Sequence, residues 1–599
     1  MSDAAIGYVD GSRLRLALLA GGARLMRYRE QLNQINVFPV ADSDTGTNMA
    51  GTLTAVVRRL TARRERSLAV VSRMAAEAAI QGARGNSGAI LAQFFVGLAQ
   101  EIGDQASVTG EDFAAAADRA VRHAMSAISS PKEGTILTVL RSWGAALREA
   151  TGRHRDLYRS FSEALAAANA ALKETTHLLP ALRKAKVVDA GALGFVRMIE
   201  GVHRLMIHGP KEVEENSLPE SSPDLYVEHG AVTEAPTFRY CTECLLTGLS
   251  VEPSALTPMI DELGDSIVVV GTRALARVHI HTDHPGNVFQ RLARNGTLTE
   301  HKVDDMVKQY HIARRSPGRV GFVVDSACDA PQELLDRPDV AIVPLTVAFG
   351  EQLFLDKVGI SPEGFYEELR RKDVIWPKTA QPSVGAFSRN YEFAGRHFAQ
   401  LLSLNLSGAL SGTIDSARAA RKTVGKPVSI VDSRGVSVGI GLILRRLLEA
   451  ADQGAEVEEL RRLGEEAAAK LSTLVVAPSV EAMVKGGRVS SFSGTIARAL
   501  GICPFVTLDK SGKAKAVGLT LSFEAGIKKL LRTLQKRVAG PTEFAVAHVD
   551  NEGAALRIKE AIETRFDVAK EIFIRDASPV LAAHTGPGTV GVMFLPARP

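Results

Sequence analysis

Asp42 and Asp44 stand two residues apart in Asn36–Met49 (NVFPVADSDTGTNM), on a loop that also offers Thr45, Gly46, Thr47 and Asn48. Two carboxylates that close, on a glycine-containing turn, can converge on one hard cation. Mg2+ suits them, because it pairs one or two carboxylates with substrate phosphates. The same residues make a solvated turn for backbone reasons alone. Further along, Gly82–Gly88 (GARGNSG) opens into the apolar stretch Ala89–Leu98. Unpaired N–H groups and the dipole at such a helix start favour a phosphate, and Asn86 and Ser87 add side-chain donors. A glycine-rich turn with Asn or Ser as helix cap has the same composition. Pro131–Thr138 (PKEGTILT) and Val187–Gly194 (VVDAGALG) repeat the theme through Thr135 and Asp189.

Two other sets of residues carry chemistry. In RVHIHTDHP (Arg277–Pro285), His279 and His281 fall on one face of a strand because side chains alternate with period two. Cys241 and Cys244 lie nearby in YCTEC. One Cys and two His suit Zn2+, with His284 or Cys244 as a fourth ligand; a pair of surface histidines is the alternative. In the last third, TAQPS (Thr379–Ser383), LSGALSGT (Leu406–Thr413), KGGRVS (Lys485–Ser490) and HTGPG (His584–Gly588) are Gly- or Pro-bearing loops. Their Thr379, Ser411, Arg488 and His584 offer two hydroxyls, a guanidinium and an imidazole, a set suited to a carboxylate. Ser411 and His584 do not make a hydrolase pair, since no G-x-S-x-G elbow follows a strand.

The elements that must hold these loops divide the chain into thirds. At 599 residues several domains are expected. The composition, 45% hydrophobic and 23% charged, is that of an ordinary globular protein. A net charge of +5 is slight for this length, and no Lys/Arg block with interleaved aromatics appears, so nucleic acid is not an expected partner. The densest basic run, Arg58–Arg66, fits a solvated helix face, with contact to anionic lipid or nucleotide as the alternative. Four cysteines argue for a reducing compartment, and neither a signal peptide nor a membrane-spanning stretch is present. A cytoplasmic protein is expected. Residues 11–205 carry helical periodicity throughout and predict an all-α domain. Residues 209–224 are acidic and proline-containing, a linker composition. Phe238–Ser250, Ser266–Val270 and Arg277–Thr282 predict strands, with helices at Ser254–Leu263 and Gly286–Arg294. From Arg319 onward GFVVDS, VAIVPLTVAF, VSIVDS, EFAVAHVD, EIFIRD and VGVMFL predict strands between helices, hence α/β layers and a largely parallel sheet.

The loops of residues 10–205, in their order and intervals, resemble the nucleotide-binding (DhaL-type) subunit of the dihydroxyacetone kinases. They resemble more closely the ATP-binding protein of bacterial fatty acid kinase. That resemblance implies an up-and-down helical barrel whose open end holds Mg-ATP. Asp42 and Asp44 would be Mg2+ ligands, Thr47, Asn48, Asn86, Ser87 and Gly88 nucleotide contacts, and the Thr135 and Asp189 loops a cover. Ser43 stands where the fatty acid kinase loop commonly has glycine, and Ala192-Leu193 replaces a Gly-Gln pair. The middle module resembles the middle domain of the same protein, which implies Cys241, His279 and His281 as a structural or subunit-contact Zn2+ site. Val323–Asp329 (VVDSACD) and the four polar loops after it resemble the DegV family of fatty-acid-binding proteins. This implies two α/β lobes around an acyl chain, its carboxylate held by Thr379 and Ser411 with Arg488 and His584 close by. Ala380 and Gly408 stand where serines are common in that family.

The expected organisation is therefore a helical Mg-ATP domain (1–207), a linker (208–235), a small α/β middle domain (236–312) and a two-lobed DegV-like domain (318–599). The resemblances imply a fatty acid kinase in one chain: ATP and a bound fatty acid give ADP and acyl phosphate, with Asp42, Asp44 and Arg488 serving the transfer. The expected partners are the fatty acid, a second copy of the chain as a homodimer and, transiently, a membrane surface for lipid exchange. The rivals are a dihydroxyacetone-type kinase of a small hydroxylated substrate and a non-catalytic lipid carrier or sensor.

Overall fold

The computed structural model describes residues 6–37, 44–126, 128, 131–210, 235–313, 318–487 and 502–598. The expected linker lies largely outside them. The chain forms two compact units, Met1–Tyr310 and His311–Pro599. No helix among the described residues is long and apolar enough to cross a membrane.

Among the described residues the first unit begins with ten helices: α1 (Gly11–Arg27), α2 (Arg29–Gln34), α3 (Thr45–Ala62), α4 (Leu68–Gly82), α5 (Gly85–Ile102), α6 (Gly110–Ser126), α7 (Ile136–Arg153), α8 (Leu157–Leu178), α9 (Pro180–Ala185) and α10 (Ala190–His208). Several start where the sequence places a capping side chain. The carboxylates of Asp10, Asp156 and Asp189 accept backbone N–H groups from Arg13, Tyr158 and Ala192, each satisfying a donor the helix cannot. The long helices pack in a closed order, α1–α3–α4–α5–α6–α7–α8–α10 and back to α1. Inside, Trp143 meets Phe94, Phe161 and Phe195 edge-on at 5.4–6.0 Å between ring centres, the geometry aromatic quadrupoles prefer. Two short strands, β1 (Tyr8–Asp10) and β2 (Ser107–Thr109), pair beside this bundle.

An antiparallel sheet completes the unit: β3 (Tyr240–Thr247), β4 (Gly264–Gly271), β5 (Leu275–Thr282) and β6 (Thr297–Asp305), ordered β4-β5-β3-β6. Leu245, Val268 and Val270 belong to the same apolar core as the helices. β6 is absent from the sequence-based expectation because TLTEHKVDD is charged at the positions where an amphipathic strand alternates. Ser254–Leu263, expected as one helix, is three short helical turns, Pro253–Leu256, Thr257–Ile260 and Asp261–Leu263.

The second unit holds three sheets. One is parallel, in the order Val428–Asp432, Phe398–Asn405, Gly318–Asp325, Val340–Val343. Helices cover it, and Phe387 and Tyr391 pack on Val323 and Leu401. A small antiparallel sheet joins Gln352–Leu355, Thr346–Phe349 and Lys378–Ala380. The third runs Ala514–Thr520, Cys503–Leu508, Ser472–Val476, Val590–Pro596, Thr542–His548, Phe573–Asp576. Only its last pair is parallel, which corrects the expectation of a largely parallel sheet. Its first two strands form a hairpin, turned by Asp509, whose carboxylate accepts the N–H groups of Ser511 and Lys513. A turn that short can only reverse the chain.

Candidate functional site

In the first unit a cavity of about 40 Å3 is lined by Asp44 and Asn48 of the α3 start, Gly85, Asn86 and Ser87 of the α5 start, and Cys241, His279 and His281 of the sheet. A cavity of that size has room for a few waters. The residues expected as two separate centres, one for nucleotide and one for zinc, share these walls. Asp42 lies outside the described residues. Asp44 is the residue before α3 and makes no side-chain cap hydrogen bond to it.

Gly85 begins α5 at φ +57°, and a Cβ there would lie 2.4 Å from the Asn48 amide nitrogen. Only glycine combines that backbone with that approach. Gly88 is held in the same way, since its Cβ would meet Thr52 Oγ1 at 2.6 Å. Thr47, Gly88, Thr135 and Asp189 are not among the described residues lining the cavity. Thr47 is exposed, and its hydroxyl accepts the Asn33 amide at 3.0 Å. Thr135 caps α7, accepting the Leu137 N–H at 3.4 Å. Asp189 is buried and accepts the N–H groups of Ala192, at 2.8 Å, and Ile136. Burial pushes its carboxyl up to about 6 against those two donors. Asp189 thus ties the start of α10 to the start of α7. A Cβ on Gly191 would lie 2.8 Å from Ser87 Oγ, so the α5 start adjoins this brace.

The Cys/His cluster follows from strand register. Cys241 faces His281 and Glu243 faces His279 across β3 and β5, so all four project from one side of the sheet. The ligand atoms of Cys241, His279 and His281 lie within 4.8 Å of one another, with Cys241 Sγ 3.9 Å from His279 Nδ1. Burial and the neighbouring His279 push His281 down to about 3, so it is a neutral imidazole. One sulfur and two imidazoles at this spacing fit a tetrahedral zinc with one position left over. Cys244, three residues on from Cys241, falls on the opposite face and is buried there. His284 precedes the helix Pro285–Ala293. Neither joins the cluster among the described residues.

Three further charged residues on this face belong to no recognisable motif. Glu243 Oε1 accepts the Gly85 N–H at 2.6 Å. Arg277 donates to the Ile80 and Gln81 carbonyls at the end of α4, at 2.9 and 2.8 Å, and to Glu300 at 3.0 Å. Lys302, opposite Glu243 on β6, pairs with Asp304 at 2.7 Å. Burial alone would raise the Glu243 carboxyl, but Lys302, His279 and Arg277 outweigh it and hold it well below the carboxylate range. Their signal in the sequence is one charged residue within each of the runs YCTECLLT and LARVHIHT, and charges at alternate positions of TLTEHKVDD.

In the second unit a cavity of about 610 Å3 is walled by apolar side chains, among them Leu345, Leu406, Met483 and Val506, with Thr379, Ser411 and His584 also lining it. Thr379 Oγ1 and His584 Nε2 share a hydrogen bond of 2.8 Å. The indole N–H of Trp376 donates to the Ala583 carbonyl at 3.2 Å, and Lys485 lies 4.4 Å from the centre of that ring system. Ser411 Oγ pairs with Thr413 at 2.9 Å. Arg488 lies outside the described residues. Asp325 accepts the N–H groups of Leu406 and Ala327, so it fixes the strand-end loop that leads to Ser411.

A helical domain sharing its core with a Cys/His-bearing sheet, followed by an α/β unit around an apolar cavity, is a multidomain architecture. Comparison with known families identifies its parts. Residues 39–204 match the DAK2 domain, residues 237–312 the middle domain of FakA-like fatty acid kinase proteins, and residues 319–597 the uncharacterised DegV family. The chain is a fusion of a DAK2 domain, a FakA-like middle domain and a DegV domain. It is similar to Protein YloV of Bacillus subtilis (strain 168), 31% identical over 312 residues, covering 50% of this chain and 56% of that one. An uncharacterized protein of Staphylococcus epidermidis is 29% identical over 316 residues, covering 51% and 56%. The chain therefore spans a little over half the length of these curated relatives. Among solved structures it is similar to a fatty-acid-binding DegV family protein from Thermus thermophilus, 27% identical, covering 47% of this chain and all of that one, with a TM-score of 0.44. A hypothetical protein from Thermotoga maritima, also described as fatty-acid-binding, has 27% identity, the same coverage and a TM-score of 0.43.

Proposed function

We propose that this chain is a fatty acid kinase in one polypeptide, transferring the γ-phosphoryl group of Mg-ATP to a fatty acid carboxylate. A carboxylate oxygen forms the new P–O bond, the bond between the γ-phosphorus and the β,γ-bridging oxygen breaks, and ADP leaves with the electron pair. The observation that carries the reading is that one chain combines two chemistries. One is a small polar cavity where Asp44 meets the glycine-rich start of α5. The other is an apolar cavity of about 610 Å3 bearing the Thr379–His584 hydrogen bond. Phosphoryl transfer is mostly positioning and charge neutralisation, and an acyl chain needs an apolar enclosure with a few placed polar groups.

In this reading the closed helix order is an up-and-down barrel. Asp44, with Asp42, would hold Mg2+, while Asn48 and the side chains and backbone N–H groups of Asn86 and Ser87 would hold the phosphates. Thr47 and Gly88 shape that loop, and the Thr135 and Asp189 loops cover the nucleotide. Bound Mg2+ supplies charge neutralisation for the transfer. Thr379, Ser411 and His584 hold the carboxylate, and Arg488 neutralises charge building on the acyl phosphate. Cys241, His279 and His281 hold Zn2+.

The test is to purify the protein, identify any copurifying lipid and assay ATP-dependent acyl hydroxamate formation with several fatty acids. Bound fatty acid with ATP-dependent hydroxamate is the expected result. Bound lipid without ATP turnover would make the protein a carrier, and phosphorylation of dihydroxyacetone in its place would make it a small-hydroxyl kinase.

A further inference from the structure

Glu243 follows Cys241 by two residues, so strand alternation puts its carboxylate on the face that bears the Cys/His cluster. One of its oxygens touches two different structures. Oε1 accepts the Gly85 N–H at 2.6 Å and stands 3.4 Å from His279 Nδ1. The side chain is 1% exposed.

The first N–H groups of any helix have no partner within it. The residue before α5, Arg84, supplies no side-chain cap. Glu243 is the cap, delivered from a strand 158 residues further along the chain. With the Gly85 N–H taken, the next two donors of that turn belong to Asn86 and Ser87, and both residues line the cavity with Asp44. The same sheet face grips the preceding helix, where Arg277 holds the Ile80 and Gln81 carbonyls. The loop between α4 and α5 is thus fastened at both ends by one strand pair. Arg277, 3% exposed, lies 3.9 Å from the second Glu243 oxygen and offsets its charge.

We propose that Glu243 is a positioning residue that sets the geometry of the 82–88 loop and links it to the occupancy of the Cys241–His279–His281 site. A metal-ligating imidazole has its orientation fixed by the ion, and the groups it touches are fixed in turn. His279 would carry that constraint to Glu243, and Glu243 to Gly85. Zinc at this site then acts on nucleotide affinity and does more than hold the sheet together. The inference rests on the reading of the 82–88 loop as a phosphate binder.

The experiment measures Mg-ATP binding calorimetrically on the full chain as wild type, Glu243→Ala and Glu243→Gln, each zinc-loaded and after chelation. Hydrogen exchange across residues 82–88 is followed in parallel. Glu243→Ala should weaken binding about tenfold, the loss of a charge-assisted hydrogen bond. Glu243→Gln keeps an acceptor for Gly85 and should restore affinity to within about threefold. Chelation should weaken the wild type and speed exchange in the loop, yet have no further effect on Glu243→Ala, since coupled perturbations are not additive. Equal binding by wild type and Glu243→Ala, failure of Gln to restore it, or an equal effect of chelation on both proteins overturns the proposal. Should Glu243→Ala not fold, unchanged loop exchange in chelated wild type overturns it alone. A wild type that binds no Mg-ATP removes the kinase reading as well, which separates the two failures.

Discussion

Thr379 and His584, 205 residues apart in the chain, share a hydrogen bond of 2.8 Å on the wall of the apolar cavity. The pair joins the edge of the small sheet to the end of the helix Pro579–Thr585, next to the Trp376–Ala583 bond. Thr379→Val keeps the shape and removes the hydroxyl, and His584→Ala removes its partner. Each should weaken fatty acid binding about tenfold, the worth of a hydrogen bond to a charged group. Displacement of a fluorescent fatty acid reads this directly, and wild-type affinity in both variants would remove the pair from the carboxylate site.

Asp44→Ala separates the two halves of the proposed reaction. Hydroxamate formation should fall by at least about a hundredfold, consistent with losing a metal ligand of phosphoryl transfer, while fatty acid affinity stays at the wild-type value. Undiminished hydroxamate formation would dismiss Asp44 as a Mg2+ ligand.

His279→Ala should copurify with little or no zinc, whereas Cys244→Ser, changed on the opposite face of β3, should retain the wild-type content. Zinc uptake by the chelated protein should also release close to one proton at neutral pH, because burial pushes the Cys241 thiol well above its usual range and the metal needs the thiolate. Elemental analysis and proton-release titration measure the two. Equal zinc in wild type and His279→Ala would refute the cluster as a metal site.

The second unit should have a pH-dependent stability traceable to Asp356. Burial pushes this carboxyl up to about 7, against Lys357, the Ser326 hydroxyl and the Val580 N–H. A folded value above the unfolded one gives a stability contribution fully present below about pH 4 and lost as pH rises through 7. Asp356→Asn keeps an acceptor for the Val580 N–H without ionising, and its amide nitrogen reverses the bond that the Ser326 hydroxyl donates to the carboxylate. Its thermal midpoint should exceed that of the wild type at pH 8, by an amount reflecting on the order of a few kcal/mol, and the gap should narrow as pH falls and close only below about pH 4. A gap that is constant across this range would contradict the assignment.

Local chemistry was legible in the residues themselves. The loops around Asp44, Asn86, Thr135 and Asp189 begin helices α3, α5, α7 and α10 as small and polar residues before an apolar stretch require. The pleat put His279 and His281 on one face without knowledge of any other strand. The strand β6 was not legible, because Lys302 is a charged residue paired with Asp304 along the same strand and with Glu243 across the sheet. The antiparallel course of the six-stranded sheet was hidden for a related reason. Strand direction depends on which strands pair, and composition carries no record of pairing.

By itself the sequence determined which groups could bind an ion, a phosphate or a carboxylate, because those capacities belong to residue types and short spacings. The change from helical to strand periodicity also marked off a helical part from the strand-rich remainder, while the structure joins the first strand-rich stretch to the helices in one compact unit. Only the tertiary structure decided that Asp44, the start of α5 and the Cys/His cluster share one cavity, and that Glu243 caps Gly85. Those relationships join residues as far apart in the chain as Asp44 and His281. They arise from strand register and from the burial of the sheet against the helices, which no local pattern encodes.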